Sequence, residues 1–343
     1  MAQRYFLWIV LVSGLVGAAA MASASQAPLN LASVNAAVAE PGSQSLLFDK
    51  NAHRQVPIAS LTKLMTALVV LESGESMDEW LDFQPWHVTP EANAYTRIRI
   101  GSTLQRRNLL RLALMSSENF ATYNLARHHP GGYDAFVQAM NDKAAALGMT
   151  ATEFVDPTGL SLGNLSSAAD LVRLANALRA YPMVSDFSTM GYYTASFRKP
   201  RYSLSYGNTN ALVHRDSWGV SLSKTGYLTD AGRCLVMIAT MDGKEVITVL
   251  LDSLGTRSPM GDAGRIKRWL ANGDSGQVAE VARRYEREKN ALYLAADGAQ
   301  VKPETVVSRA GPERRDSDPD TRGGTDTAEA SGPVVPDQER RTQ

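Results

Sequence analysis

The chain has 343 residues, 44% hydrophobic and 20% charged, the balance of a globular protein with room for one large domain or two small ones. Its 35 basic and 35 acidic residues cancel, so no overall field draws it to nucleic acid or to an anionic membrane surface. Five histidines and one cysteine, Cys234, without Cys-x-x-Cys or His-Glu-x-x-His spacing, argue against a zinc site and exclude a disulfide within the chain; no cofactor is called for.

At the N-terminus, Arg4 precedes an apolar run from Tyr5 to about Ala20 and then the small-x-small triplet Ala22-Ser23-Ala24. This order predicts a signal peptide over 1–24, cut after Ala24, which puts the body of the protein outside the cytoplasm with no stable membrane anchor after cleavage. An uncleaved anchor helix is the alternative, but the run is short for a span of roughly 20 residues. Residues 25–42 are small and polar and are expected to form a linker. "SLLFDKNAH" then predicts a strand and a turn. From Leu61 to Leu71 apolar residues recur at helical spacing, at Leu61, Leu64, Met65, Leu68, Val69 and Leu71. Residues 74–103, with Pro85 and Pro90, are expected to be irregular.

Helices are predicted over 105–115 and 118–128, the second stopping at "HHPGG". "YDAFVQAMNDKAAALG" puts Phe136, Val137, Met140, Ala144 and Leu147 on one helical face, with Gly148 past the end. "SSAADLVRLANALRAYP" is a further helix with a Ser cap before it and a Pro after it. From residue 190 the texture changes to strands: "GYYTASF", "YSLSY", "GVSLSKTG", "CLVMIATM" and "VITVLLDS". Asp242-Gly243 between the last two is a tight-hairpin signal. A helix around 262–271 closes the pattern. The expected class is α/β of the α+β kind, an antiparallel sheet packed with helices plus a mostly helical middle portion, in one domain over 43–272. A charged helix is expected over 273–298 and a disordered tail over 299–343, where large apolar residues are few.

Ser-x-x-Lys occurs three times, at Ser60/Lys63, Ser196/Lys199 and Ser221/Lys224. Only the first opens an apolar helical run. There i and i+3 share a face, so the lysine stem can reach the hydroxyl, and helix-terminal N–H groups can bind an oxyanion. A lysine desolvated near another cation can lose its proton near neutral pH and act as a base. The plain alternative is a serine cap with a solvated lysine one turn on. Ser117-Glu118-Asn119 lies at an expected helix–helix junction, where a hydroxyl and an amide can face one cleft; its plain reading is a helix cap. Lys224-Thr225-Gly226 lies on an expected strand, where glycine lets a ligand approach the backbone; its plain reading is a solvated strand residue.

Together and in this order, the three motifs resemble the signature of the serine penicillin-recognising enzymes. "LFDKNAHRQVPIASLTKLMTALVVLE", "LALMSSENFATYNLA", "FVDPTGLS" with "SSAADLVRLA", and "KTGYLTDAGRCLVMIA" resemble the S11-type D-alanyl-D-alanine peptidases from about Ser43 to Leu270. Within that group they look most like the penicillin-binding protein 7 branch, the D-alanyl-D-alanine endopeptidases. The resemblance implies the serine β-lactamase/DD-peptidase fold, peptidoglycan peptides as substrates, β-lactams as covalent inhibitors and a periplasmic location. It implies that Ser60 is the acyl-enzyme nucleophile and Lys63 its base, with Ser117 and Lys224 relaying the proton to the leaving amine. Asn119 would hold the substrate amide, Thr225 the substrate carboxylate, and the N–H groups of Ser60 and Tyr227, the residue after Gly226, the oxyanion. Glu118 departs from the commoner Asp or Gly and is expected to tune substrate shape.

Three functions compete. A D,D-peptidase would cut cross-links as an endopeptidase or remove terminal D-Ala as a carboxypeptidase; the charged C-terminal region, unlike an amphipathic anchor, favours the former. A β-lactamase would need a glutamate to position the deacylating water, and Glu153 is the only one between Asn119 and Lys224. An inactive peptidoglycan-binding scaffold is at odds with the intact motifs. His128-His129 are expected to end a helix, His53 and His214 lack partners at ligand spacing, and Cys234 is expected to be buried. Arg233, across a turn from Lys-Thr-Gly, is a further candidate for binding a carboxylate.

Overall fold

The structure, a computed structural model, describes residues 28–300 apart from 44, 88–89 and 91–94. The signal peptide expected over 1–24 lies outside the described residues, as does the expected tail beyond residue 300. Among the described residues no helix is long and apolar enough to cross a membrane.

The first strand, β1 (Ser33–Ala39), corrects the expected linker over 25–42. All seven of its residues are buried. It is followed by β2 (Phe48–Lys50), β3 (Val56–Pro57), a 3-10 turn over Ala59–Thr62 and α1 (Lys63–Glu72). The stretch expected to be irregular holds β4 (Trp80–Asp82), which pairs with β5 (Thr103–Gln105). Then come α2 (Arg106–Met115), α3 (Asn119–Arg127), α4 (Gly132–Ala146), β6 (Leu165–Ser166) and α5 (Ala168–Leu178). Ser167 caps α5 by accepting from the Asp170 N–H at 3.1 Å. Pro182, expected only to stop that helix, also opens α6 (Pro182–Ser188), where a first-turn proline lacks no needed N–H.

Strands β7 (Tyr192–Phe197) and β8 (Tyr202–Gly207) form a hairpin of their own. Strands β9 (Val220–Leu228), β10 (Gly232–Met241) and β11 (Lys244–Ser253) complete the main sheet, whose order is β2-β1-β11-β10-β9 with every neighbour antiparallel. Asp242 and Gly243 turn β10 into β11 with φ of 49° and 75°, the double left-handed geometry of a tight hairpin. Helices α7 (Ser258–Asn272) and α8 (Glu280–Gln300) follow. The charged helix expected over 273–298 is therefore α8, displaced towards the C-terminus.

The sheet is buried on both faces, and the two-residue period of its strands sorts their side chains between two cores. From β10, Cys234, Val236 and Ile238 join the core shared with the helices of the middle portion. Leu235, Met237 and Ala239 join a second core with Ala263 and Ile266 of α7. Helix α1 runs inside the first core. Every residue from Lys63 to Val70 is buried, as expected of a helix that is apolar nearly all round. The fold therefore carries the front of α1, with its polar residues, into the seam between the sheet and the helices.

Candidate active site

Ser60 lies in the 3-10 turn that leads into α1. The preceding Ala59 has φ 49°, a conformation that a residue with a Cβ seldom adopts. Two glycines hold the turn by lacking side chains. A Cβ on Gly159 would stand 2.0 Å from the Ala59 carbonyl oxygen, and one on Gly226 would stand 3.1 Å from the Ser60 nitrogen. The Lys-Thr-Gly glycine thus lets strand β9 pass directly against the serine turn, where a Cβ would push the backbone back by a few tenths of an ångström.

One turn on, Lys63 is fully buried. Its Nζ lies 2.9 Å from Ser60 Oγ, 2.7 Å from Asn119 Oδ1 and 2.5 Å from the Thr158 carbonyl oxygen. The amide and carbonyl oxygens can only accept. A neutral amine has two N–H groups, and these two acceptors use both, which leaves the lone pair facing the Ser60 hydroxyl. Burial pulls the Lys63 pKa down to about 7, against the carboxylates of Asp156 and Glu118, which raise it. The residue is therefore a base poised near neutrality beside a hydroxyl.

The Thr158 carbonyl is fixed by Asp156, whose role the sequence did not disclose. Asp156 Oδ1 accepts from the Thr158 N–H at 2.6 Å and the Gly159 N–H at 2.8 Å, while Oδ2 accepts from the Ser161 N–H at 2.9 Å. A loop wound on one carboxylate thus aims a carbonyl at Lys63. The available signal was "FVDPTGLS", in which aspartate, proline and glycine mark a turn.

Ser117 bridges α2 and α3 with φ 59°, a second strained non-glycine position at the cleft. Its Oγ accepts from Lys224 Nζ at 2.9 Å, and the same ammonium donates to the Thr225 carbonyl at 2.8 Å. Burial, and then the charge of Lys63, hold the Lys224 pKa well below its ordinary value. Glu118, expected to tune substrate shape, also has a place in the fold. Its carboxylate caps α3 by accepting from the Ala121 N–H at 2.5 Å, and it also accepts from Thr96 Oγ1 at 2.7 Å. Burial raises its pKa.

Among the described residues strand β9 is the edge of the main sheet, paired only with β10; Ser188 Oγ accepts from its Ser223 N–H at 3.2 Å, and Thr225, Gly226 and Tyr227 line the Ser60 cavity. Such an edge can hydrogen-bond an extended peptide. Thr225 donates its hydroxyl to Thr209 Oγ1 at 2.6 Å, which adds Thr209 to the site without any motif to announce it. The Tyr227 ring is half exposed, and Arg233, its cross-strand partner, stacks over it with Cζ 3.7 Å from the ring centre. One cavity of about 420 Å³ is lined by Ser60, Ser117, Asn119, Thr225, Gly226 and Tyr227 among others. Lys63 and Lys224 reach it through their bonds to the two serines, so all eight candidate residues converge. In the other two Ser-x-x-Lys pairs the serine lies elsewhere: Ser196 faces Ser203 across the β7–β8 hairpin, and Ser221 donates to Glu245, while its companion Lys224 serves the site through Ser117.

Comparison with known proteins agrees with this geometry. The pattern of peptidase family S11, D-alanyl-D-alanine carboxypeptidase, matches residues 20–255. The D-alanyl-D-alanine endopeptidase of Pseudomonas aeruginosa is 45% identical over 260 residues, 76% of this chain and 84% of that protein. Among solved structures, the Streptomyces K15 DD-transpeptidase superposes with a TM-score of 0.65 at 28% identity, covering 70% of this chain and 97% of that one. Penicillin-binding protein D2 of Listeria monocytogenes, in its cefotaxime-bound form, has a TM-score of 0.62 at 30% identity and covers 71% and 98%. The chain belongs to the S11 family of D-alanyl-D-alanine peptidases.

Proposed function

We propose that the protein is a periplasmic serine D,D-peptidase that hydrolyses D-Ala bonds in peptidoglycan peptides, chiefly as a D-alanyl-D-alanine endopeptidase that cuts cross-links. The observation that carries this reading is the place of Lys63 Nζ, within hydrogen-bond reach of Asn119 Oδ1, the Thr158 carbonyl oxygen and Ser60 Oγ, where a neutral amine spends its two N–H groups on the first two and turns its lone pair to the third. Lys63 takes the hydroxyl proton as Ser60 attacks the carbonyl of the D-Ala residue before the scissile bond. The oxyanion is held by the N–H groups of Ser60 and Tyr227, and loss of one such donor typically costs roughly 10²–10³ in turnover. The C–N bond then breaks, the amine leaves with a proton passed along Ser117 and Lys224, and water hydrolyses the Ser60 ester. Asn119 and Thr225 bind substrate.

The endopeptidase assignment draws on the Pseudomonas aeruginosa relative, and carboxypeptidase activity, after which the family is named, is the second reading. The same serine reacts with β-lactams, as the cefotaxime-bound Listeria relative suggests. Turnover of the penicilloyl ester is expected to be slow. Glu153, the one glutamate between Asn119 and Lys224, has its backbone tied to Leu165 and carries an exposed side chain.

The test is to incubate the purified protein with a cross-linked muropeptide dimer and with a pentapeptide monomer, and to weigh the products by mass spectrometry. Conversion of the dimer to monomers is expected, and Ser60→Ala abolishes it. Loss of one alanine from the pentapeptide with the dimer untouched would make the protein a carboxypeptidase. No cleavage of either would overturn both readings. A mature N-terminus at residue 25 in periplasmic extracts tests export and cleavage of the leader.

A further inference from the structure

The serine chemistry leaves one charged residue of the cavity unused. Arg233 opens β10 directly opposite Tyr227, next to the pair Cys234–Gly226 that brings β9 against the Ser60 turn. Its guanidinium lies 3.7 Å over the Tyr227 ring, and among the described residues no carboxylate pairs with it. Stacking occupies the face of a guanidinium and leaves its five N–H donors, all in the plane, for a planar acceptor. The cavity continues past Tyr227 and Arg233 to Thr256, Pro259 and Met260. At about 420 Å³ it has the size of a site for a peptide fragment rather than for one alanine.

The two competing substrates differ on this side. Removal of a terminal D-Ala releases a single residue with one carboxylate, which Thr225 is assigned to hold. Cutting a cross-link releases a diamino acid within a second stem peptide, which carries at least one further carboxylate. We infer that Arg233 is a specificity-determining residue that binds this further carboxylate on the leaving half of a cross-link, and so biases the enzyme from carboxypeptidase towards endopeptidase action. Tyr227 holds the guanidinium flat beside the cleft, which limits the side-chain freedom lost on binding. The inference rests on the peptidase reading given above.

The experiment compares wild type, Arg233→Gln and Arg233→Lys on the cross-linked dimer, on the same dimer with its leaving-half carboxylates amidated except the one next to the scissile bond, and on the pentapeptide. A charge-assisted contact of this kind predicts that Arg233→Gln lowers the ratio of kcat/KM for dimer over pentapeptide by roughly 10–100-fold, mainly through KM. Arg233→Lys keeps part of the ratio, and amidation costs the wild type about as much as Arg233→Gln does while leaving Arg233→Gln unaffected. An unchanged ratio in Arg233→Gln, or equal cutting of native and amidated dimers by wild type, would sink the inference while the peptidase reading stands. Failure of wild type to cut the dimer at all would remove both.

Discussion

At the scale of single residues, the proposed mechanism makes Lys63 the group that sets the pH at which the cleft works. Only the neutral amine can take the Ser60 proton, and burial holds its pKa at about 7. Above that value the base is free and below it the base is blocked. The second-order rate of labelling by a fluorescent penicillin should therefore rise with pH through about 7 and then level off. Asp156 pulls this pKa upward, so Asp156→Asn should move the rising limb to lower pH. Lys63→Met should slow labelling by roughly 10²–10⁴-fold, the usual worth of a general base. The meeting of Ser60 with Lys63 and of Ser117 with Lys224 was legible in the sequence because the motifs set particular side chains at particular spacings. Thr158 was not, since it contributes a backbone carbonyl that any residue could supply. It meets Lys63 only through a contact spanning 95 residues. The capping role of Glu118 is not legible for a related reason: its position beside two site residues says nothing of which way its carboxylate turns.

Among the elements, α8 lies beyond the stretch that matches the family pattern, yet it is joined to the catalytic sheet by a buried carboxylate. Asp252, near the end of β11, is 1% exposed and accepts from the hydroxyls of Tyr285 at 2.5 Å and Tyr293 at 2.7 Å. Lys289 pairs with it at 3.2 Å and donates to the Asp230 carbonyl in the turn between β9 and β10 at 2.8 Å. The three α8 residues recur at helical spacing on one face, and one of them ties down the turn next to Tyr227 and Arg233. Asp252 also has φ 55°, which asparagine tolerates better than alanine does. Asp252→Asn, which keeps the shape and loses the charge, should cost about 1–2 kcal/mol. Asp252→Ala leaves Lys289 and both hydroxyls without their acceptor and should cost about 3–5 kcal/mol. Urea unfolding of the two variants checks the order; equal losses would mean that α8 is not held through this carboxylate. The sequence disclosed a charged helix here but not its docking, because the partner aspartate sits inside a strand pattern that reads as apolar.

At the scale of the molecule, the site exists only where sheet and helices meet. Lys224 comes from the edge strand, Ser117 from between α2 and α3, and Ser60 from the turn before α1. The sheet in turn depends on β1, which lies between β2 and β11 with Ser33 opposite Ser253 and Ala39 opposite Ile247. That strand is not legible in the sequence because "SVNAAVA" is buried on both faces and so lacks the polar–apolar alternation that marks a half-exposed strand. The hairpin strands β10 and β11 were readable because Asp242-Gly243 signals the turn between them, a local cue that β1, paired across more than two hundred residues, does not have. The two views of residues 28–42 make opposite predictions. If they were a linker, removing them would leave every motif residue in place and penicillin labelling intact. With β1 as an inner strand, their removal exposes the edge of β11 and takes Ala37 and Ala39 from one core and Ala36 and Val38 from the other, so the truncated chain should be unfolded by circular dichroism and should not label. Ala37→Glu in the full chain isolates the effect. It puts an unpaired charge at a position 0% exposed, facing the core shared with the helices, and should destabilise by more than about 3 kcal/mol. Labelling should fail in that variant as soon as the fold fails, although Ser60 lies on a different element and its motif is untouched.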